Sequence, residues 1–249
     1  MRVRLRSLYR RLLPIPARQW LTRNLRYPYA NKIDLGDLGR TQPVSRVWGL
    51  DRGTPVDRYY IQNFLSACSA DVRGHVLEIG ENTYTLRYGG ERVQKSDILH
   101  VAEGAPNATI IADLTRAEHI PAETFDCIIC TQTLHLIFEI DLAIATLHRI
   151  LKPGGALLVT MPGISQISRY DMDRWGDYWR FTSASARRLF EKSFAAGDIQ
   201  LKIFGNVLAA TAFLQGIATQ ELSPEALDAR DPDYEVIIGV RAVRGGSAP

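Results

Sequence analysis

The sequence predicts one α/β domain built around a mostly parallel sheet of seven strands. Two observations support this: short apolar runs alternate with amphipathic helical patterns after residue 50, and acidic residues follow several of the apolar runs. Alternating strand and helix patterns are typical of βαβ units, in which helices connect parallel strands. With 249 residues, the chain is long enough for one such domain and an appended segment.

Composition places the chain among ordinary globular proteins. Hydrophobic residues make up 46% and charged residues 23%, which argues against disorder and coiled coil. No run of about 18 apolar residues occurs, so we expect neither a membrane span nor secretion, and a cytoplasmic location. Cys127 and Cys130 lie in the apolar run FDCIIC, and we interpret them as small buried hydrophobic residues rather than a zinc or redox pair.

Residues 1–50 are predicted to be a basic N-terminal extension, and residues 51–249 the domain. Nine basic residues and no acidic one lie between Met1 and Ile33, which gives this segment a charge of +9. Mixed with apolar side chains, it suits peripheral contact with the inner face of a membrane, or with an acidic partner, and a solvated arm stays an alternative. Nucleic acid is disfavoured, because the rest of the chain balances its charge and shows no recognition motif.

Each element is predicted from local pattern. Thr54 is expected to cap the first helix of the domain, with Pro55 at its first position and apolar residues at three-to-four spacing through Cys68. The sequence around Lys152–Gly155 is expected to end a helix and turn the chain. Further helices are predicted at 141–151, 183–194 and from Ser223. Strands are predicted at 75–80, 92–97, 108–112, 125–130, 155–161, 199–206 and 234–243.

Acidic residues at three predicted strand ends point to a nucleoside site. Glu78 and Gly80 end the first strand, Asp97 ends the second 19 residues after Glu78, and Asp113 follows the third. Ligands of open parallel sheets bind beyond the carboxyl ends of the strands, where a carboxylate about 20 residues on contacts ribose. We therefore expect these acids to share one cleft, with Asp97 on a ribose and Asp113 facing an adenine. Capping of local loops is the alternative.

The loop after Gly80 disfavours a dinucleotide. A pyrophosphate needs several glycines so that helix amides can reach it, but residues 81–84 read Glu-Asn-Thr-Tyr. S-adenosylmethionine carries no phosphate and tolerates this loop better, and Asn82 can adopt the left-handed conformation of a tight turn.

The chain resembles the class I S-adenosylmethionine-dependent methyltransferases, particularly the methyltransferase type 11-like enzymes associated with glycan, O-antigen and secondary-metabolite synthesis. The resemblance covers roughly residues 52–244 and is carried by VLEIG, Asp97, Asp113, FDCIICTQTLHLI, LHRILKPGGALLVTMPG and DYWRFTSASARRLFE. It implies a Rossmann-like sheet of order 3-2-1-4-5-7-6 with helices on both faces and an antiparallel seventh strand.

The same resemblance implies S-adenosylmethionine as cofactor. Glu78 and Gly80 would then contact its methionine moiety, Asp97 the ribose, Asp113 with Leu114 the adenine, and Thr131 with Gln132 would line the floor. The family usually has glycine where this chain has Asn82 and Tyr84, and Tyr84 would instead help to close the pocket. The helix carrying Tyr59 and Tyr60, together with Arg52, is expected to cover the cofactor, and His100 lies near the ribose position.

The acceptor side is predicted from two features. His135 follows the fourth strand, and its near-neutral pKa suits removal of a hydroxyl proton. The segment 168–181 is rich in aromatic and charged residues, which suit a sugar or polar ring, although packing as a lid is the alternative. Asp171, Asp173 and Asp177 match no metal-loop pattern, so no metal is expected. The candidate acceptor-binding residues are Tyr170, Asp171, Trp175, Tyr178 and Arg180.

The sequence thus predicts an S-adenosylmethionine-dependent O-methyltransferase acting on a sugar hydroxyl of a glycan, glycolipid or glycosylated metabolite. A non-catalytic methyltransferase-like partner in a biosynthetic complex and an NAD-dependent oxidoreductase are the alternatives.

Overall fold

The computed structural model describes residues 13–25 and 33–246, in two compact units that divide after Gln42. The first unit contains helix α1, Ile15–Leu25, and a 3-10 turn at Gly36–Gly39. Most of the basic residues predicted to form the N-terminal extension fall in 1–12 and 26–32, outside the described residues. No helix in the described part has both the length and the apolar character needed to cross a membrane.

The second unit is built on a seven-stranded sheet in the order β3-β2-β1-β4-β5-β7-β6. β7 runs antiparallel to both β5 and β6, while β1 to β5 pair in parallel. The fold class, the strand order and the antiparallel seventh strand are confirmed. The strands are β1 Gly74–Ile79, β2 Val93–His100, β3 Ile110–Ile111, β4 Phe125–Thr131, β5 Leu151–Pro162, β6 Ile199–Phe204 and β7 Ile237–Val243.

Helices cover both faces of this sheet and form two apolar clusters. Successive residues of a strand point to opposite faces, so Val76 packs with α2 (Val56–Ala67) and α7 (Val207–Gln215), whereas Leu77 packs with α4 (Ile140–Ile150) and α6 (Ser183–Phe190). Gly239 of β7 lies against α2, where a Cβ would stand 2.5 Å from the Phe64 ring. The helices are α2 Val56–Ala67, α3 Thr83–Gly89, α4 Ile140–Ile150, α5 Arg169–Met172, α6 Ser183–Phe190, α7 Val207–Gln215 and α8 Pro224–Asp228.

The two strand cysteines lie in opposite clusters, as expected for residues three apart on a strand. Cys127 and Cys130 are both free and fully buried. Burial raises the pKa of both thiols, that of Cys130 to about 12. Their interpretation as small buried hydrophobic residues is confirmed.

Several element ends differ from prediction. β2 continues to His100, because Ile98 and Leu99 are buried and pair with β1. β5 begins at Leu151, so the predicted turn lies inside the strand, beside a register shift against β4. α2 begins at Val56 without a side-chain cap, and the Thr54 hydroxyl accepts a hydrogen bond from Gln220 instead. Helices α3 and α7 were not predicted.

Residues 43–55, called the strap here, fold with the sheet rather than with the first unit. Ser45 N donates to Gln215 O at 3.0 Å, and Thr219 N donates to Thr54 O at 2.8 Å. An ion pair between Arg52 and Glu221 also links the strap to the segment after α7. The strap is therefore fastened to the segment that follows α7.

Candidate functional site

A cleft of about 530 Å³ opens beyond the carboxyl ends of β1, β4 and β5. β1 and β4 are neighbours here although β2 and β3 lie between them in sequence, which is the switch point where open α/β sheets bind ligands. The size is within the range of small-molecule sites. Its walls are Trp48, Leu50, Pro55, Asp57, Arg58, Glu78, Ile79, Gly80, Glu81, Thr131, Gln132, His135, Leu136, Pro162, Ser165, Gln166, Ser168, Tyr170, Asp171, Asp177, Arg180, Phe213 and Ile237.

Glu78 lies in the wall of this cleft and fastens helix α3 to β1. Its carboxylate accepts hydrogen bonds from Tyr84 N at 3.2 Å and from Thr85 N and Oγ1, both at 2.7 Å. Burial raises its pKa, and these hydrogen bonds oppose the effect. The amides of α3 that could bind an external anion are thus partly used by Glu78.

Gly80 turns the chain out of β1 with φ at +91°, which favours glycine. A Cβ at this residue would meet no atom within 4 Å, so its backbone borders open space in the cleft. Asn82 lies outside the cleft walls, and its φ of −124° shows that the predicted left-handed conformation is wrong. Tyr84 does not close the pocket, because its buried ring faces Tyr88 beneath α2.

Asp97 does not reach the cleft, and its predicted place at the end of β2 is wrong. The carboxylate accepts from His75 Nε2 at 2.6 Å and from Lys95 Nζ at 2.9 Å. Burial alone would raise the pKa of Asp97, but these two donors hold it below its ordinary value. The residue at the tip of β2 is His100, since Leu99 pairs with Ile79.

Asp113 and Leu114 follow β3, and the side chains of both contact other residues of the protein. Asp113 accepts hydrogen bonds from Thr115 N and Oγ1 and pairs with the exposed Arg116. The Leu114 side chain lies in the apolar cluster around α4. Of the three acids expected to share one cleft, only Glu78 is among the wall residues. Roles of Asp113 and Leu114 at an adenine stay predictions.

Thr131 and Gln132 lie at the end of β4 in the cleft, where the sequence places them. Gln132 has a φ of 48° and Trp48 of the strap a φ of 58°, conformations that are strained in residues other than glycine. Gln132 Nε2 and Thr160 Oγ1 are both buried without a hydrogen-bond partner. Unsatisfied buried polar atoms and backbone strain concentrate at binding sites.

His135 follows β4 in a 3-10 turn, Leu134–Leu136, and lines the cleft with 7% of its surface exposed. Its Nδ1 atom is buried and has no hydrogen-bond partner. Burial lowers the pKa of His135 to about 4, although Asp177 opposes the shift. The imidazole is therefore neutral at neutral pH.

Asp177 is the main site residue whose role the sequence did not reveal. Its buried carboxylate accepts from Arg180 Nη1 at 2.5 Å, Arg180 Nη2 at 2.9 Å and Ser168 N at 3.0 Å. These hydrogen bonds outweigh burial and lower the pKa of Asp177. The spacing of Asp177 and Arg180 was the available signal. The predicted acceptor-binding Arg180 thus lines the cleft as the partner of a buried carboxylate.

The other predicted acceptor residues divide into two groups. Tyr170 and Asp171 of α5 line the cleft, and the Tyr170 ring is covered by the Arg174 guanidinium at 3.6 Å. Trp175 and Tyr178 lie outside its walls, where Tyr178 packs edge-on against Phe138 and Trp175 against His100. Acceptor contact by any of these residues stays a prediction.

Helix α2 contributes through residues other than those expected. Asp57 and Arg58 of its first turn line the cleft, and burial raises the pKa of Asp57. Tyr59 donates to Asp228 and Tyr60 to Leu227 O, while Arg52 pairs with Glu221. None of Arg52, Tyr59 and Tyr60 lines the cleft.

Asp171, Asp173 and Asp177 do not form a metal centre. Asp173 pairs with Arg169, and Asp177 pairs with Arg180. Across residues 13–25 and 33–246 no group of three or more His, Cys, Asp or Glu side chains is placed to hold a metal ion.

Comparison with known sequences matches residues 66–159 to the family model described as Methyltransferase domain. A curated ubiquinone/menaquinone biosynthesis C-methyltransferase of Pasteurella multocida (strain Pm70) is 31% identical over 86 residues. That match covers 34% of this chain and spans 30% of the length of the relative.

Solved structures align with this chain at low sequence identity. A chain of the complex containing the Haloferax volcanii Trm112 methyltransferase activator aligns with a TM-score of 0.50 and 13% identity, over 78% of this chain and 94% of that chain. A Haemonchus contortus phosphoethanolamine N-methyltransferase 2 in complex with S-adenosyl-L-methionine has a TM-score of 0.47 and 15% identity, over 79% and 59% of the two chains.

Proposed function

We propose that this chain, whose residues 66–159 belong to the methyltransferase domain family and whose sheet has the class I strand order, transfers a methyl group from S-adenosylmethionine to a sugar hydroxyl. The observation that carries the proposal is the cleft at the β1–β4 switch point, with the strained Gln132 and its unpartnered amide in the wall.

The residues of the cleft suit a cofactor without phosphates. Glu78 occupies the amides of Tyr84 and Thr85, which a pyrophosphate would require, and this disfavours a dinucleotide. Asp57 and Arg58 offer opposite charges to the amino and carboxyl groups of an amino acid moiety. The Gln132 amide and the open backbone of Gly80 supply further contacts. Bound there, S-adenosylmethionine supplies a methyl group on a positively charged sulfur.

His135 is the base in this proposal, and Asp177 positions it. At neutral pH the imidazole carries one ring proton. Asp177, on the Nε2 side, favours the tautomer protonated at Nε2, which leaves Nδ1 as the basic nitrogen. Because Nδ1 is buried and has no partner, proton transfer to it requires that acceptor binding moves the side chains that cover it. S-adenosylmethionine would supply the methyl group to the hydroxyl oxygen, and His135 Nδ1 would take the proton that this oxygen loses. The rest of the cleft aligns the acceptor and excludes water.

A sugar hydroxyl is proposed because the acceptor side combines polar groups with an exposed ring. Ser165, Gln166 and Asp171 offer hydrogen bonds, and Tyr170 is 63% exposed beside them. Aromatic rings and hydrogen-bonding side chains together suit a sugar ring.

Carbon methylation is the second candidate, and it rests on the likeness to the Pasteurella multocida C-methyltransferase. Reaction with S-adenosylmethionine carrying a ¹³C-methyl group distinguishes the two. A product methyl with the NMR shift of a methoxy group supports oxygen methylation, and a carbon-bound methyl supports the second candidate.

Calorimetry with S-adenosylmethionine tests the proposal at the level of the cofactor. The wild-type chain should bind it, and Gln132→Asn, which tolerates the left-handed conformation but retracts the amide, should bind more weakly. Gln200→Asn on the exposed side of β6 is the matched control and should bind like wild type. Failure of the wild type to bind would favour a non-catalytic partner, and binding of NAD instead would favour an oxidoreductase.

We also propose that residues 1–33, with their charge of +9, bind an anionic membrane surface from the cytoplasm. Cosedimentation with phosphatidylglycerol vesicles should retain the full chain at low salt and release it at high salt. A variant with Arg4, Arg6, Arg10 and Arg11 changed to Gln should stay in solution. Equal retention of that variant would contradict the proposal.

A further inference from the structure

A second cleft, of about 370 Å³, lies between α2, β6 and α8 and shares no wall residue with the first. Helix α2 therefore lines two clefts, the first with its initial turn and the second with its later turns. The walls of the second cleft include Asn63 and Ser66 of α2, Lys202 and Phe204 of β6, Asp228 of α8, and Arg230.

Two cations meet at one aromatic ring in this second cleft. Lys202 Nζ lies 5.3 Å and Arg230 Cζ 5.4 Å from the centroid of the Phe204 ring, so the two charges are at most about 11 Å apart. Tyr60 stacks on the same ring at 5.4 Å and covers one of its faces. Lys202, Arg230 and Tyr60 therefore all border the same ring.

Neither cation has an acidic partner in the described part of the chain. Some cations elsewhere in this unit do, such as Lys152 with Asp126 and Arg241 with Asp71. Asp228 is the acidic residue in the wall, but it accepts a hydrogen bond from Tyr59 at 2.8 Å and forms no ion pair with Lys202 or Arg230 within 4.0 Å. The walls of the second cleft therefore carry a net positive charge.

We propose that the second cleft binds the phosphoryl group of a small molecule, apart from the methyl-transfer site. A phosphoryl dianion matches two cations, and a guanidinium such as that of Arg230 binds it through two hydrogen bonds. Asn63 and Ser66 offer further polar side chains, while Phe204 and Leu227 form an apolar floor for the rest of the molecule. The ligand is either inorganic phosphate or a phosphate monoester.

The test is isothermal titration calorimetry of the full chain with inorganic phosphate and, separately, with glycerol 3-phosphate, both at constant ionic strength. No S-adenosylmethionine is present, so the result does not depend on methyl transfer. We expect saturable binding that Lys202→Gln and Arg230→Gln each weaken about tenfold. Tighter binding of glycerol 3-phosphate identifies a monoester as the ligand, and equal binding identifies free phosphate.

The matched control is Arg188→Gln, which removes an exposed cation on α6, a helix that packs on the opposite face of the sheet from α2. It should bind both anions like wild type, and unchanged thermal unfolding of all three variants excludes loss of fold. Absence of saturable binding by the wild type, or equal weakening in Arg188→Gln, would overturn the proposal.

Discussion

His135 and Asp177 face each other at the cleft, with His135 Nε2 4.0 Å from Asp177 Oδ1. The carboxylate is fixed by Arg180 and by Ser168 N, so its position is determined before any ligand binds. The imidazole is oriented by this neighbour on one side, and its other nitrogen has no partner.

His135→Ala should lower turnover by about 100-fold or more, the usual contribution of a positioned base. The affinity for S-adenosylmethionine should stay unchanged, because the proposed cofactor contacts come from other residues of the cleft. Turnover measured at saturation, together with calorimetry, separates the two effects. Wild-type turnover in this variant would remove His135 from the mechanism.

The stability of the protein should fall as the pH drops from 6.5 toward 4. Because burial lowers the pKa of His135 to about 4, the unfolded chain takes up a proton in this range while the folded chain does not. The stability present above pH 6.5 is therefore lost as the pH falls, by roughly 3 kcal/mol at most. Urea unfolding at pH 7 and pH 5 measures the loss, which should shrink in His135→Asn. An unchanged pH dependence in that variant would contradict the assignment.

Substitutions in β2 should separate stability from cofactor binding. Asp97→Asn weakens the contacts with His75 and Lys95, and we expect it to lower the thermal unfolding temperature without changing the affinity for S-adenosylmethionine. His100→Ala at the tip of β2 should weaken cofactor binding about tenfold, as expected for loss of roughly 1.4 kcal/mol. Weaker binding of S-adenosylmethionine by Asp97→Asn, with unchanged binding by His100→Ala, would instead support a contact of Asp97 with the ribose.

Asp177→Asn should destabilise the protein by about 3–5 kcal/mol, since it leaves the Arg180 charge without its buried partner. Asp173→Asn is the matched control, because Asp173 and Arg169 form an exposed ion pair four residues apart. Such pairs contribute less than about 0.5 kcal/mol. Chemical unfolding measures both variants. Equal destabilisation would show that the ion pair of Asp177 and Arg180 stabilises the protein no more than the exposed pair does.

The fold could be predicted from sequence because apolar periodicity records which face of each element is buried. Helix α7 was not predicted because its sequence, VLAATAFLQ, is apolar on nearly every side and shows no apolar stripe. Helix α3 was not predicted because its seven residues are too few to show such a stripe. The end of β2 was missed because its first half is polar, while the buried Ile98 and Leu99 follow it.

The site was only partly predictable. Glu78, Gly80, Thr131, Gln132 and His135 follow strands whose ends meet at the cleft, so position along the chain was sufficient for them. The position predicted for Asp97 was wrong because strand pairing and side-chain direction place its carboxylate beside His75 and Lys95. The spacing of acidic residues along the sequence carries no information on either. Trp48 and Arg58 were missed because the strap and α2 reach the cleft from residues that carry no motif.

The last strand of the described chain, β7, lies between β5 and β6, and Ile237 at its start lines the cleft. During synthesis the ribosome must therefore release the chain through about residue 243 before this wall exists. A ligand of this cleft consequently meets the complete wall only once β7 is in place, so it stabilises the finished domain.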